Sequence, residues 1–397
     1  MSKITHASII PLIGGSTIAT HNSTGIPPKY IASYKFFANN DKHIISYYNN
    51  NIPYYIIDNG DNDKPDYVDI VSTICPCAGL SSLNTSANTS AEINDWLFES
   101  ATYTLSKIKP KVFFGENAPR LGTNFGKPIA NRMAKLAKKY NYVFSIIKTQ
   151  SKLHGLSQTR NRTFYFFWKD TRVPLIDLHN KEPKLIQDLL SETVRDPLDP
   201  MDDVVRKGKP TETPFYKYYL TVLNNNNQTH SEFCNSVKKS NNIQEFIEEH
   251  PDFIDYNTVA KWMDEHGYTK EAKKCRYNHD KLAAGKNIMR RNIYIPKNII
   301  GAFVGYYPEN MVHPIEDRFL TYRECARIMA LPDDFVLQDK ERCINHFCQN
   351  IPVSTAQDIT DFIVKYIDNP DSVEYIDADY VVQSNIKRGD IEIRIID

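Results

Sequence analysis

The residue whose type and setting most clearly suggest chemistry is Cys77, a cysteine that directly follows a proline. The run at residues 67–71, in which three of five residues are β-branched, precedes it and is typical of a buried strand, and small residues follow it. A thiol at the end of a rigid strand, with room beside it for a substrate, can act as a nucleophile. A redox-active or purely structural cysteine is the alternative. Cys75 lies two residues earlier, and we expect Pro76 to break the alternation that would put both thiols on one face.

A carboxylate and two arginines follow on later apolar runs. Glu116 ends one such run, where partial desolvation would raise its pKa and let it hold a proton near neutrality; a helix-capping role is the alternative. Gln158, Arg160 and Arg162 precede an aromatic strand at residues 163–168, and strand alternation would place them on one face. Two guanidiniums on one face could hold a carboxylate and a base carbonyl, whereas an edge strand with solvated arginines would leave them without such a role.

The elements that must position these residues alternate between strands and helical or polar connections. This order predicts an α/β fold with a Rossmann-like, doubly wound, mostly parallel sheet, whose ligands bind at the carboxyl ends of the strands. The predicted strands are residues 7–13, 30–37, 54–58, 67–71, 111–115, 142–148 and 163–168, with a terminal pair near 381–382 and 391–396. The predicted helices are residues 91–108, 127–139, 318–335 and 354–367.

The first predicted strand ends in two adjacent glycines, Gly14 and Gly15. Glycines after a strand let a ligand approach the backbone, and the N-terminus of a following helix would favour its carboxylate. An ordinary turn is the alternative, since the full Gly-x-Gly-x-x-Gly pattern is absent. Asp58, at the end of the third predicted strand, could accept a hydrogen bond from an adenine amine or a ribose hydroxyl.

The composition is that of a folded intracellular protein. Hydrophobic residues make up 41% of the 397 residues, enough for a sizeable core. The seven cysteines form no disulfide framework, which favours a reducing compartment such as the cytoplasm. No apolar run approaches the roughly 18 residues of a membrane span, so we expect no membrane contact. Because the formal net charge is zero, nucleic-acid binding must come from local basic clusters.

One local cluster of this kind lies between residues 270 and 297. Its basic side chains with interleaved aromatic residues are the best candidates for phosphate contact, and a solvated basic helix is a nearly even alternative. The candidates taken from this cluster are Lys273, Lys274, Arg276, Arg290 and Arg291. Cys275 and His279 are too few to indicate a zinc site, and we predict no metal.

The order of the motifs resembles that of the C5-cytosine DNA methyltransferase family. The matching segments are Pro76-Cys77-Ala78-Gly79-Leu80-Ser81, Glu116-Asn117-Ala118, Gln158-x-Arg160-x-Arg162, residues 323–335 and Gln349-Asn350-Ile351-Pro352-Val353. The departures are Ala78, where the family usually has Gln, and Leu12-Ile13-Gly14-Gly15, where it has Phe-x-Gly-x-Gly. The acidic residue that the family keeps after its second strand is replaced by Asn39 or Asn40, with Asp41 nearby.

The resemblance implies a class I methyltransferase fold and a specific chemistry. Cys77 would add to C6 of a cytosine flipped out of the duplex, a protonated Glu116 would neutralise N3, and Arg162 would hold the base carbonyl and orient Glu116. Arg160 would support the active loop. The methyl donor would be S-adenosyl-L-methionine. Its implied contacts are Leu12, Ile13, Gly14, Gly15, Asn39, Asp41, Asp58, Pro76, Asn350 and Pro352, and Ser81 would join the basic cluster in contacting DNA.

The resemblance also implies a domain plan and partners. Residues 1–169 would form the catalytic, cofactor-binding domain, 170–310 the smaller target recognition domain, 311–367 the return to the catalytic domain and 368–397 a tail. The substrate would be double-stranded DNA, with a cognate restriction endonuclease as an optional partner and a monomer as the expected state. An RNA (tRNA) cytosine-5 methyltransferase and a catalytically weak DNA-binding relative are the alternatives. The basic 170–310 module favours duplex DNA.

Overall fold

The computed structural model describes residues 3–57, 65–82, 84, 86–224, 227–250, 253, 255–290, 292–387 and 389–396. The strands are β1 (His6–Ile9), β2 (Tyr30–Ser33), β3 (Tyr54–Ile56), β4 (Ile70–Ile74), β5 (Val112–Asn117), β6 (Val143–Gln150), β7 (Asn161–Trp168), β8 (Val173–Pro174), β9 (Asn241–Asn242), β10 (Tyr294–Ile295), β11 (Tyr375–Ile376), β12 (Tyr380–Ser384) and β13 (Asp390–Arg394). The helices are α1 (Gly15–Thr24), α2 (Lys42–Tyr47), α3 (Asp95–Tyr103), α4 (Lys127–Lys139), α5 (Ile186–Ser191), α6 (Pro214–Tyr218), α7 (His230–Ser236), α8 (Ile243–Glu249), α9 (Tyr256–Glu265), α10 (Thr269–Ala283), α11 (Tyr322–Ile328), α12 (Lys340–Cys343), α13 (His346–Gln349) and α14 (Val353–Asp368).

The chain divides into two compact units. The first comprises Met1–Pro183, Ala326–Asp339 and His346–Asp397, and the second comprises Lys184–Cys325 and Lys340–Asn345. The second unit therefore begins and ends later than the predicted module at 170–310. Within the part of the chain that the structure describes, no helix is both long and apolar enough to cross a membrane.

The first unit is built on a nine-stranded sheet in the order β13-β12-β6-β7-β5-β4-β1-β2-β3. Strands β3, β2, β1, β4 and β5 pair in parallel, and β12 is parallel to β6. Only two of the nine run against their neighbours: β7 is antiparallel to β5 and β6, and β13 is antiparallel to β12. The mostly parallel α/β sheet that the sequence predicts is thus confirmed.

The reversed direction of β7 decides which residues meet at the edge of the sheet. Its amino end lies beside the carboxyl end of β5, with Thr163 opposite Asn117 and Phe164 opposite Glu116. The same register stacks Phe167 on Phe113, with ring centroids 5.5 Å apart. Such aromatic cross-strand pairs stabilise the register beyond the area that they bury.

Several predicted strand bounds are wrong, and backbone geometry explains the first. β1 ends at Ile9 because Ile10 and Leu12 have positive φ angles of 53°, which a strand does not accommodate. Gly14, at φ 95°, then precedes the first turn of α1. In contrast, the helix predicted at 127–139 matches the bounds of α4.

The late helix is shorter than its predicted range of 318–335. A capping box begins the helix: Glu324 N donates to Thr321 Oγ1 at 3.1 Å, and Thr321 N donates to Glu324 Oε2 at 2.8 Å. The helix ends at Ile328, before Pro332, and Ala330 has a positive φ of 53°. Proline therefore follows the end of the helix instead of causing it.

The C-terminal strands form the predicted pair and also extend the main sheet. β12 pairs in parallel with β6, from Tyr380 opposite Phe144 to Ser384 opposite Lys148, and β13 pairs with β12. Tyr380, Val381 and Val382 are buried. The tail is thus a structural part of the first unit.

The second unit is mainly helical and has its own core. Apolar side chains from α6 to α10 form one buried cluster with residues of β10 and of the segment that precedes α11. Val259 and Met263 of α9 and Ala272 and Cys275 of α10 belong to it. Cys275 is therefore a core residue.

Candidate active site

The turn after β4 separates the two neighbouring cysteines. Cys75 is buried, and its Sγ lies 3.3 Å from Ser100 Oγ and 3.4 Å from the carbonyl oxygen of Trp96. Cys77 is only partly buried and begins a turn in which Leu80 N donates to Cys77 O at 3.0 Å. Cys75 is thus a core thiol, and Cys77 is the thiol that a substrate can reach.

Asparagines hold this turn, and sequence analysis did not identify two of them. Asn84 Nδ2 donates to Ala78 O at 2.9 Å, and Asn94 packs so closely on Gly79 that an added Cβ there would lie 2.3 Å from Asn94 Oδ1. Asn117 Nδ2 approaches Pro76 O at 3.5 Å. Polar residues in loops are too common for their types alone to have indicated this role.

Glu116 and Arg162 form an ion pair at the edge of the sheet. Glu116 lies within β5, one residue from its end, and is 4% exposed. Arg162 Nε contacts Glu116 Oε1, because β7 starts where β5 ends. Burial raises the pKa of the Glu116 carboxyl, and the positive charge of Arg162 opposes this shift in pKa only in part. Ile74, at the end of β4, is the partner of Glu116 on its other side.

The Cys77 thiol and the Glu116 carboxyl interact electrostatically. Burial raises the pKa of Cys77, the negative charge of Glu116 raises it further, and Arg162 and Arg160 lower it. A proton on Glu116 removes the charge that disfavours the thiolate. The site can therefore hold a protonated carboxyl and a thiolate together, as a nucleophile with an adjacent acid requires.

Arg160 has a different set of contacts from Arg162. It precedes β7, and its Nη2 donates to Cys348 O at 2.6 Å and to Asn350 O at 3.1 Å. Gln158 Nε2 donates to Ile328 O at 2.9 Å. The prediction that these three residues share one strand face is wrong, because β7 begins only at Asn161. Burial and the charge of Arg162 lower the pKa of Arg160 to about 9.

The last motif, at residues 349–353, packs directly on the glycine turn, which contains Gly14 and Gly15. Gly15 N donates to Asn350 Oδ1 at 3.0 Å, and a Cβ on Gly15 would lie 2.1 Å from Ile351 O. Pro352 follows and immediately precedes α14. Among the described residues, Asn350 Nδ2 and Ser16 Oγ are buried without a hydrogen-bond partner. Unsatisfied buried groups at a helix N-terminus fit a polar ligand such as the amino-acid portion of S-adenosylmethionine.

The end of β2 differs from the arrangement that the sequence predicts. Asn39 is exposed in a short 3-10 turn, whereas Asp41 is fully buried and accepts a hydrogen bond from Tyr54 Oη at 3.0 Å. Burial raises the pKa of Asp41 to about 7. Phe36, which belongs to none of the sequence motifs, is 70% exposed and stacks on Trp96 with ring centroids 5.7 Å apart. Its position after β2 was the available signal.

The three predicted DNA contacts on α10 lie on its surface, but they are not equally free to bind a phosphate group. Lys273 and Lys274 are exposed, and Lys274 Nζ lies 3.4 Å from Asn292 Oδ1. Arg276 is paired with Asp264, and Arg290 with Glu248 at 2.7 Å.

One predicted DNA contact lies in the first unit. Ser81 is partly buried after the turn that carries Cys77. Asp58 and Arg291 lie outside the described residues.

Comparison with known proteins matches most of the chain to one family. A family model for C-5 cytosine-specific DNA methylases matches residues 5–365. A search of curated proteins found no match.

Solved structures resemble the chain at low sequence identity. A prophage-encoded protein of E. coli, assigned as a DNA modification methyltransferase, is 16% identical with a TM-score of 0.54, over 92% of this chain and 100% of that chain. A methyltransferase of Entamoeba histolytica is 12% identical (TM-score 0.49; 93% and 99% covered). The DNMT2 protein of Spodoptera frugiperda is 10% identical (TM-score 0.47; 91% and 99% covered). The first of these shows a shared class I methyltransferase fold.

Proposed function

Because the chain belongs to the C-5 cytosine-specific DNA methylase family, we propose that it transfers a methyl group from S-adenosyl-L-methionine to C5 of a cytosine in double-stranded DNA. The observation that carries the proposal is the coupling of Cys77, Glu116 and Arg162 in one largely buried site. This set provides a nucleophile, an acid and a cation for a single planar base. The basic surface of α10 supports a nucleic-acid substrate.

Cys77 starts the reaction by adding to C6 of the base. C5 of cytosine is a poor nucleophile, and addition of the thiolate at C6 makes the ring an enamine that is nucleophilic at C5. The addition places negative charge on N3, and the protonated Glu116 donates its proton there. C5 then attacks the methyl group of the donor. Loss of the C5 proton to water, expulsion of Cys77 as a thiolate and return of the N3 proton to Glu116 restore the aromatic ring with a methyl group at C5.

Arg162 is placed to contact both the Glu116 carboxyl and the base. Its guanidinium holds the Glu116 carboxyl in place through the ion pair, and its remaining N–H groups can donate to the carbonyl oxygen of the base. The base must leave the duplex to reach this site, at a cost of a few kcal/mol. Enclosure by the Cys77 turn keeps the base away from water during the reaction.

The residues around Gly15 would hold the methyl donor. When bound, S-adenosylmethionine supplies an electrophilic methyl group on its sulfonium. Asn350 Nδ2 and the N-terminus of α1 would donate hydrogen bonds to its polar end. Phe36 and Trp96 present aromatic surface beside the end of β2, where the adenine would pack.

The test is methyl transfer to mixed-sequence duplex DNA with labelled S-adenosylmethionine. We expect 5-methylcytosine from the unmodified protein and none from the variant Cys77→Ser. Cys75→Ser is the matched control and should retain most of the activity, because Cys75 is a core residue. Transfer to RNA alone, or activity that survives Cys77→Ser, would refute the proposal.

A second measurement addresses the covalent step. In duplex DNA that contains 5-fluorocytosine, C5 carries fluorine in place of the proton that must be removed before Cys77 is expelled. The thioether between Cys77 and C6 should therefore persist. We expect a denaturation-resistant protein–DNA complex that forms with Cys75→Ser and not with Cys77→Ser. A complex attached at any other cysteine would contradict the assigned nucleophile.

A further inference from the structure

The nine-stranded sheet ends in an edge strand, β13, that has no paired strand on its outer side among the described residues. An edge strand presents a row of backbone N–H and C=O groups that can pair with another chain. Proteins usually protect such edges by covering them or by placing charged side chains along them. β13 is protected on one face only.

One face of β13 and of the residue that follows it is apolar and open to solvent. Ile391, Ile393 and Ile395 alternate along the chain, so all three lie on the same face, and they are 42%, 56% and 72% exposed. The opposite face carries Glu392 and Arg394, which form an ion pair with Nε–Oε1 at 2.7 Å. A row of exposed isoleucines beside an unpaired edge is typical of an interaction surface.

We propose that β13 pairs in an antiparallel manner with β13 of a second copy of this chain, with the two-fold axis passing through Ile393. In that register Ile391 lies opposite Ile395 of the second copy and Ile393 lies opposite Ile393. Glu392, whose side chain is 51% exposed, then lies opposite Arg394, whose side chain is 5% exposed and paired with Glu392 of its own strand, so no like charges oppose each other on this face. The strand is therefore self-complementary in sequence, as a two-fold interface requires.

Neighbouring registers are less favourable. An axis through Glu392 places two Glu392 side chains opposite each other, and an axis through Arg394 does the same with two arginines. Like charges directly opposite on adjacent strands are destabilising. An axis between two residues would place isoleucines opposite charged side chains. Charge and polarity thus favour the axis through Ile393, and pairing would join two nine-stranded sheets and cover the isoleucines. The proposed dimer differs from the monomer that is expected from the sequence.

The first test is the mass of the full-length protein in solution by sedimentation and light scattering. We expect about twice 45.8 kDa at micromolar concentration. Ile393→Lys should shift the mass to that of a monomer, because it places two ammonium groups on the axis. The matched control is Ile315→Lys, at an isoleucine that is 53% exposed in the second unit, and it should remain dimeric. A monomeric unmodified protein, or a dimer that persists in Ile393→Lys, would overturn the proposal.

The second test addresses the register. Ile393→Cys should form an intermolecular disulfide under mild oxidation, because directly opposite residues of antiparallel strands lie about 4.5–5.5 Å apart between Cα atoms, within the range of a disulfide. Ile391→Cys alone should not, since its counterpart in the second copy is residue 395. The pair Ile391→Cys and Ile395→Cys should cross-link again. Equal cross-linking of Ile391→Cys and Ile393→Cys would refute the assigned register.

Discussion

In the proposed mechanism, Cys77 and Glu116 have opposite requirements for their protons, and the site couples them. The thiol must lose its proton to attack, and the carboxyl must keep its proton to donate it. Burial raises the pKa of both groups, which favours the acid but disfavours the thiolate. Arg162 lowers the pKa of both. The active protonation state is therefore limited by the thiol at low pH and by the carboxyl at high pH.

This coupling predicts a change in the pKa of Cys77 in the variant Glu116→Gln. The negative charge of Glu116 raises the pKa of Cys77, so its removal should lower that pKa and make the thiol react with iodoacetamide at lower pH. Methyl transfer should fall by about 100-fold or more, because the amide cannot supply the proton. Alkylation is measured across pH by mass spectrometry of the peptide that contains Cys77, with Cys75 in the same peptide as an unreactive reference. An unchanged alkylation profile would contradict the coupling.

At the scale of elements, the sequence predicts the strands that end near Cys77 and at Glu116, but not how the ends of these strands meet. The motif around Cys77, the carboxylate Glu116 and the helix α4 all follow from local patterns. The pairing of Glu116 with Arg162 depends on β7 being antiparallel, which is a property of the sheet and not of either segment. Local patterns cannot give such long-range pairing.

The misplaced predictions have similar causes. The first strand was predicted too long because apolar residues continue past Ile9, while the backbone turns at Ile10. Alternation groups Arg160 with Arg162, yet Arg160 donates to carbonyl groups 188 and 190 residues away in sequence. Burial of a guanidinium by distant backbone has no signature in a single sequence.

The contact between the glycine turn and the last motif predicts that Gly15→Ala impairs binding of S-adenosylmethionine. A methyl group at Gly15 would overlap Ile351 O and the Asn350 side chain, so the turn and the motif must separate. We expect affinity measured by calorimetry to fall more than tenfold. Gly25→Ala, at the end of the same helix, meets no atom within 4 Å but has φ of 69°. It should cost about 1 kcal/mol of stability and leave affinity unchanged.

At the scale of the whole molecule, the charge is balanced, so the proposed binding of DNA must depend on where the basic residues lie. The 48 basic and 48 acidic residues cancel. On α10, Arg276 and the nearby Arg290 are already paired with carboxylates, which reduces the charge that they offer to phosphates. Lys273 and Lys274 are exposed and have no carboxylate among their described ion-pair partners. Of the four candidates named in this cluster that the structure describes, they are the two without a carboxylate partner.

The double variant Lys273→Glu and Lys274→Glu should therefore weaken DNA binding in a salt-dependent way. Each lost phosphate contact reduces the slope of log affinity against log salt by about one, so two contacts reduce it by about two. The matched control is Lys135→Glu with Lys138→Glu, which makes the same change in net charge on exposed positions of α4. Fluorescence anisotropy with a labelled duplex at several salt concentrations measures both slopes. If the two double variants lower the slope equally, only net charge matters and α10 is a solvated helix. If only the double variant on α10 lowers the slope, the second unit carries the DNA contact.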